Sequence, residues 1–433
     1  MDTTSGLETL LPRLRDVYRD LHAHPELSFA EHRTAGIAAA WLRELGLTVT
    51  EGVGGTGVTG VLPRGEGPVV LLRADMDGLP VAEATGLAYA SSARGVDPDG
   101  RDVPVMHACG HDVHVTCLLG ALSVLAADDS WTGTVVAVLQ PAEEVARGAA
   151  AMVEDGLYGT VPRPDVVLGQ HVAPLPAGTI GLRAGPSFAA TDSLRITLFG
   201  EGGHGSRPEA TVDPVVLAAA TVLRLQTVVS REIAGTETAV LTVASVQAGT
   251  KSNIIPDEAV LLLNLRTYDV RVRDTALAAI RRIVEGEAAT AGARRTPLIE
   301  PIEQAPAVVN DAAGVERTRP ALEAIVGAAR VVDPGPITGS EDVGVLAEAA
   351  GAPCVFWLLG GADPTAFAGT HDLEGIRAVL ASLPSNHSPL YAPVIDPTLE
   401  LGVQALVGAA RSWLHRARDC GRPRASSLAA PRR

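Results

Sequence analysis

Three short apolar runs, each ending in a cluster of charged or metal-ligating side chains, constrain what this chain can fold into. Residues 68–73 run into Ala74-Asp75-Met76-Asp77-Gly78, residues 132–139 into Gln140-Pro141-Ala142-Glu143-Glu144, and residues 165–168 into Gly169-Gln170-His171. A continuous apolar run of that length reads as a strand covered on both faces. Helical spacing precedes and separates these runs. Leu7, Leu10, Leu11, Leu14, Val17, Tyr18 and Leu21 mark a helix over 6–24, with Ser5 as cap and Pro25 as stop. A second helix spans 35–45 and is closed by Gly46. Buried strands alternating with helices predict an α/β fold with a mostly parallel sheet. Functional side chains in such folds gather at the carboxyl ends of the strands.

The texture changes near residue 183. Residues 194–199 alternate like a half-exposed strand, 200–207 form a glycine-rich turn, and 213–229 read as a helix with Asp213 as cap. Strands follow at 238–246 and 259–266, a helix at 272–289, and a closing strand near 296–299. That order matches a ferredoxin-like, split βαβ sandwich of α+β type. A chain of 433 residues exceeds one ordinary core. The expected organisation is a discontinuous catalytic domain (1–182 and 301–418), an inserted lid and dimerisation domain (183–300), and a disordered tail over 419–433, rich in Arg, Pro, Ser and Ala. Further helices are expected at 312–328, 341–350 and 397–415, and no internal repeat is found.

Composition removes several functions. The net charge of −15 and only 3% aromatic residues argue against a nucleic-acid partner, which needs a basic face or stacking platforms. No apolar run reaches membrane length; the longest, 215–229, carries Arg224 and Gln226. Residues 1–7 lack the basic start and apolar core of a signal peptide, so the expectation is a cytoplasmic enzyme. Cys109, Cys117, Cys354 and Cys420 show no disulfide-scaffold spacing.

The chemistry concentrates in His107-Ala108-Cys109-Gly110-His111-Asp112-Val113-His114. Four of the scarcest side chains in eight residues form a metal signature, and no second cysteine pair follows at zinc-finger spacing. Glu143-Glu144 stands at the end of a buried strand, where two carboxylates are costly unless a cation balances them. Adjacent residues cannot point the same way, so one can ligate while the other faces the attacking water. His171 follows an apolar strand, and His387 sits in the rigid loop Pro384-Ser385-Asn386-His387-Ser388-Pro389. His204, in Gly202-Gly203-His204-Gly205-Ser206-Arg207-Pro208, suits an anion or oxyanion contact, although glycine-rich turns are common.

Taken in order, these segments resemble the M20 metallopeptidase/aminoacylase clan. The closest resemblance is to its amidohydrolase subfamily of hippurate hydrolases, N-acyl-amino-acid deacylases and auxin-conjugate hydrolases. It covers about residues 8–415 and includes Leu21-His22-Ala23-His24-Pro25-Glu26-Leu27-Ser28, Leu72-Arg73-Ala74-Asp75-Met76-Asp77-Gly78-Leu79-Pro80, the Cys-Gly-His-Asp run and Pro141-Ala142-Glu143-Glu144. It continues through Gly203-His204-Gly205-Ser206-Arg207-Pro208, Asn253-Ile254-Ile255-Pro256, Gly339-Ser340-Glu341-Asp342 and Asn386-His387-Ser388.

The resemblance implies a di-metal catalytic domain with an inserted lid, often dimeric through that insert. It implies Cys109, His111, Glu144, His171 and His387 as ligands of two divalent ions per subunit, with Cys109 shared where the wider clan has aspartate. Mixed nitrogen, oxygen and sulfur donors suit manganese, zinc, cobalt or nickel. By the same analogy Glu143 is the base, and His204 steadies the oxyanion or the substrate from its own subunit or a partner's. Asn253 contacts the substrate carboxylate or its neighbourhood. Where the wider clan has a His-x-Asp ligand motif, this chain reads Arg73-Ala74-Asp75, so no ligand is expected there. Val343 replaces an aromatic common after Gly-Ser-Glu-Asp. The expected activity is hydrolysis of small N-acyl amino acids. The alternatives are a dipeptidase or carboxypeptidase of the same clan, or a non-catalytic metal-binding homologue.

Overall fold

The computed structural model describes residues 6–370 and 373–416. The expected Ser5 cap, the 419–433 tail and Cys420 lie outside those residues. Helix α1 (Leu7–Ala23) begins at Gly6, whose positive φ of 89° fills the cap position, and it buries Leu7, Leu11, Leu14, Tyr18 and Leu21.

The large sheet has nine strands. Its centre is parallel: β1 (Val69–Asp75), β2 (Trp131–Gln140), β3 (Val166–Pro176) and β8 (Cys354–Ala362) lie in the order β2-β1-β3-β8. Antiparallel pairs flank that centre, with Gly57–Arg64 against β2 and Ile180–Gly181 against β8. Residues 70–72 of β1 and 135–139 of β2 are fully buried, as both-face coverage requires. On one face lie α2 (His111–Ala127) and α5 (Thr398–Trp413), with a core that includes Leu118, Leu122, Val403 and Leu406. Beyond its first turn, helix α2 is largely apolar on every side and almost wholly buried, so it is a core helix rather than an amphipathic cover. The other face packs Met152, Leu346 and Phe356.

A second sheet follows. Strands β4 (Ala190–Phe199), β5 (Ala239–Ala248), β6 (Glu258–Thr267) and β7 (Leu298–Ala305) lie in the order β5-β6-β4-β7, antiparallel throughout. Helices α3 (Pro214–Thr227) and α4 (Val270–Thr290) share with it a separate core of Ile196, Leu217, Leu263, Leu265 and Ile280. Asp213 accepts from the Val215 and Val216 amides at the start of α3, and Asp269 does the same for α4 from Arg271 and Val272. Leu263 and Leu265 point into that core, so Asn264 and Arg266 point to the opposite face. The last strand begins at Leu298 and runs to Ala305, beyond the expected 296–299. Two short paired strands, Gly185–Phe188 and Val308–Asn310, lead in and out of this unit. Among the described residues, no helix is long and apolar enough to cross a membrane.

Candidate metal centre

The paired glutamates sit on a tight turn after β2. Ala142 adopts φ 49°, a left-handed conformation unusual for alanine. It is held there by Glu31, which is fully buried and accepts from the amides of Ala142 at 2.8 Å and Phe29 at 3.0 Å. The Thr56 hydroxyl donates to its other oxygen. Gly148 closes the turn; a Cβ there would lie 1.5 Å from the Pro141 carbonyl oxygen, so only glycine fits. Asp77, just past β1, accepts from the amides of Glu143 at 3.1 Å and Glu144 at 3.0 Å and from the Ser28 hydroxyl at 2.6 Å. Two buried carboxylates thus pin the backbone that presents two more.

Cys109 and His111 flank Gly110, at φ 82°, where a Cβ would meet Val172 Cγ1 at 2.4 Å. His171 lies within β3, which continues to Pro176 instead of ending before it. His114 accepts the Val172 amide at 2.8 Å through Nε2 and donates Nδ1 to Asp75 at 2.5 Å, so it is a neutral tautomer that anchors this part of β3. His387 has φ 72°, and its amide donates to the Ala108 carbonyl at 2.8 Å. Asn386 donates to the Cys109 and Val172 carbonyls, tying this loop to both.

These elements bring Cys109, His111, Glu143, Glu144, His171 and His387 together. Cys109 Sγ is 3.4 Å from His171 Nε2, and His387 Nε2 is 3.3 Å from Glu144. His111 Nε2 is 3.8 Å from both Glu143 and Glu144. The ligand atoms of Cys109, His111 and His171 lie within 4.8 Å of one another, as do those of Cys109, Glu144 and His387, so Cys109 is common to two donor sets. His111 Nε2 and one Glu144 oxygen are buried without a hydrogen bond, and His111 Nδ1 has only Asp77 Oδ1 at 3.3 Å beside it, which is costly for protein groups left to themselves. Burial, then the neighbouring Glu341 and Glu144 charges, hold the Glu143 carboxyl well above its usual range. Burial, with Asp77 adding to it against the opposing pull of His111, takes Glu144 up to about 8. Burial and the two glutamates push the Cys109 thiol up as well. Donors of this kind, crowded and short of partners, fit divalent cations, which reverse each of those tendencies.

The Arg73-Ala74-Asp75 segment supplies more than expected. Asp75 reaches to 3.5 Å from His111 Nε2 and forms a third close group with His111 and His114. Both its oxygens are already engaged, one by His114 and one by Arg73 at 2.7 Å. Arg73 is fully buried and also binds Glu341 at 2.7 Å, Asp342 at 3.1 Å and Gln140 at 2.9 Å. The Gly-Ser-Glu-Asp motif is therefore a counter-charge to Arg73, and its Gly339 and Ser340 form part of the cavity wall.

The cavity beside the donors has a volume of about 590 Å³. Leu175, Phe188, Ile337 and Leu358 make one wall apolar. Arg266 and Glu303 enter it from the second sheet. Arg266 donates Nε to Asn264 at 2.8 Å, while its Nη1 is buried without a partner. His204 and Asn253 do not line this cavity. Gly203–His204 pairs with Ile254–Ile255, the Gly205 amide donates to the carbonyl of Asn253 in the turn before that strand at 2.9 Å, and both side chains are exposed. Sequence reasoning did not single out Asp77, Glu31, Glu341 or Asp342, though all but Glu31 lay in motifs it quoted. Arg266 carried no signal at all.

The profile of peptidase family M20/M25/M40 matches residues 71–374. An N-acetyl-L-cysteine deacetylase of Bacillus subtilis is 35% identical over 340 residues, 78% of each chain. Thermostable carboxypeptidase 1 of Saccharolobus solfataricus is 35% identical over 83% of this chain and 90% of its own length. The crystal structure of a dinuclear metal-binding peptidase of family M20 from Bacillus subtilis superposes with a TM-score of 0.71. It is 30% identical, over 93% of this chain and 98% of the other. With the family's profile covering most of its length and its donor residues gathered at the carboxyl end of the large sheet, the chain belongs to peptidase family M20/M25/M40 and is a metal-dependent hydrolase.

Proposed function

We propose that this enzyme hydrolyses the amide bond of N-acyl amino acids, with Glu143 as general base and Cys109, His111, Glu144, His171 and His387 holding two divalent cations per subunit. Manganese, zinc, cobalt and nickel all suit this donor set. When bound, such ions make water more acidic and offset negative charge on the carbonyl oxygen. Glu143 takes the proton of the attacking water and returns it to the leaving nitrogen. Glu31 and Asp77 fix the turn that aims it. The apolar wall takes the acyl group. Arg266 takes the α-carboxylate, which satisfies its partnerless Nη1. One observation carries this reading: a guanidinium with a partnerless Nη1 and a carboxylate base beside a cluster of metal donors share one cavity.

His204 and Asn253 act, in this reading, on the site of a partner subunit. Strand β5 is an open edge of the small sheet, with Val240 and Val246 exposed, and Val216 and Leu223 of α3 are exposed as well. Pairing that edge with a second copy would cover all four and form a homodimer through the insert. His204 then steadies the oxyanion, and Asn253 adds to the carboxylate contact.

The carboxypeptidase relative supports a second reading, cleavage of a C-terminal residue from a peptide. Both leave an α-carboxylate for Arg266, so the acyl side decides. Metal-reconstituted enzyme is assayed for released amine on N-acetyl amino acids beside dipeptides of the same C-terminal residue. The deacylase reading expects the acetyl series to turn over with the higher kcat/KM. Turnover of the dipeptides alone would replace it with the second reading.

A further inference from the structure

Arg266 has a neighbour of opposite sign that it does not use. Glu303, on β7, lines the same cavity. Its carboxylate accepts from the Ser193 hydroxyl at 3.2 Å, and among the described residues no cation lies within ion-pairing distance of it. Ser193 also accepts from Asn264 at 3.0 Å, and Asn264 accepts from Arg266. One polar ladder therefore crosses the sheet face from β6 through β4 to β7, with a guanidinium at one end and a carboxylate at the other. The backbones of the two ends lie two strands apart, on the order of 10 Å. Ser193 and Asn264 hold the two charges apart; they do not collapse onto each other.

Both ends are partly buried beside Leu175, Phe188 and Leu358, where an unpaired charge is disfavoured. A bound α-carboxylate would neutralise Arg266. It would leave Glu303 as an uncompensated carboxylate close to a second anion. A substrate with a cation beyond its α-carbon removes that imbalance, and one with a neutral side chain does not. We infer that Glu303 selects the leaving amino acid, and that the preferred substrates are Nα-acyl derivatives of basic amino acids such as lysine, ornithine and arginine. The inference rests on the N-acyl-amino-acid reading above. The ammonium of lysine, a point charge on a flexible four-carbon stem, can adjust to a carboxylate about one side chain away from the α-carboxylate site.

The test compares Nα-acetyl-L-lysine with Nα-acetyl-L-norleucine, which differs only in lacking the ammonium, on metal-loaded full-length enzyme. The wild type should favour the lysine derivative by about tenfold in kcat/KM, the effect of roughly one partly desolvated ion pair. The ratio should fall as ionic strength rises. In Glu303→Gln it should drop to about one. The ratio is internal to each enzyme, so poor folding lowers both rates and leaves it intact. If Glu303→Gln has no measurable rate, product inhibition of the wild type supplies the answer, with L-lysine inhibiting more tightly than L-norleucine. A wild type indifferent to the ammonium, or a Glu303→Gln enzyme that keeps the preference, overturns the inference. Failure to hydrolyse either compound overturns the N-acyl-amino-acid reading itself.

Discussion

At the carboxyl end of the large sheet, Cys109, His111 and Glu143 are nearly shut off from water, and buried carboxylates pin the turn that carries the glutamate pair. On the second unit, His204, on a two-residue strand, and Asn253, in the turn before its partner strand, stand in solvent. Both regions carry residues of the family motifs. The first is assembled within one chain, its carboxylates held by backbone amides and its donors already gathered into groups that could share a cation. The second can serve chemistry only by coming to a site. Within a chain that takes domain closure, and between chains it takes a dimer.

Removing the base should break the first region most. Glu143→Gln should lower kcat by about 10²–10⁴-fold, the usual worth of a general base, while metal content stays near wild type. Glu144→Gln should lose metal. Metal analysis beside the rate checks both, and loss of metal in the Glu143 variant alone would exchange the two roles. The next largest effect tests the second region. His204→Ala should lower kcat by about 10²-fold with KM and metal content nearly unchanged, since its partner charge exists only in the transition state. Mixed with inactive Glu143→Gln under subunit exchange, it should restore part of the activity. No recovery, with exchange demonstrated, would place His204 in its own subunit's site and erase half of the contrast.

Cys109 gives a smaller but more specific result. Cys109→Ser should weaken metal retention at least tenfold, and metal-free wild type should be inactivated by thiol oxidants faster than the loaded enzyme, because a bound ion occupies the sulfur and shields it. A serine variant with full metal and full rate would remove Cys109 from the donor set.

The contrast also explains what was legible in the sequence. Strand β2 was read within a residue at each end, because its continuous apolar run admits little else. The element order of the second unit was legible from alternation and from the cap Asp213, whereas Asp269, which caps α4, was not singled out. The run from His107 to His114 exposed the donors, because cysteine and histidine rarely cluster without a cause. The hidden part was the support. Glu31 lies 111 residues before Ala142, and Arg73 lies 268 residues before Glu341; no local pattern links such partners. Arg266 was invisible for another reason. Its significance is a missing hydrogen bond, and only the folded cavity reveals that. His171 was placed at a strand end because the unbroken apolar run stops at Leu168, yet backbone pairing with β8 carries the strand on through Gly169, Gln170 and His171.

The smallest effect concerns stability. His22, from the Leu21–Ser28 motif, is buried between Asp112, at 2.7 Å, and Glu83, at 3.1 Å. Burial alone would lower its pKa, but the two carboxylates outweigh burial and bring it up to about 10. A folded value above the ordinary 6.5 means that the stabilisation is complete below about pH 6.5 and is lost as pH rises through about 10. His22→Gln leaves Asp112 buried without its cation and should lower unfolding free energy by about 3–5 kcal/mol at pH 6. The gap between variant and wild type should narrow steadily towards pH 10. Chemical unfolding at several pH values measures it. Because His22 clamps α2 and not the second sheet, hydrogen exchange at high pH should accelerate in α2 and β2 before β6. Equal acceleration in β6 would mean that the two units unfold as one, and that the rigidity of the first region is shared with the second after all.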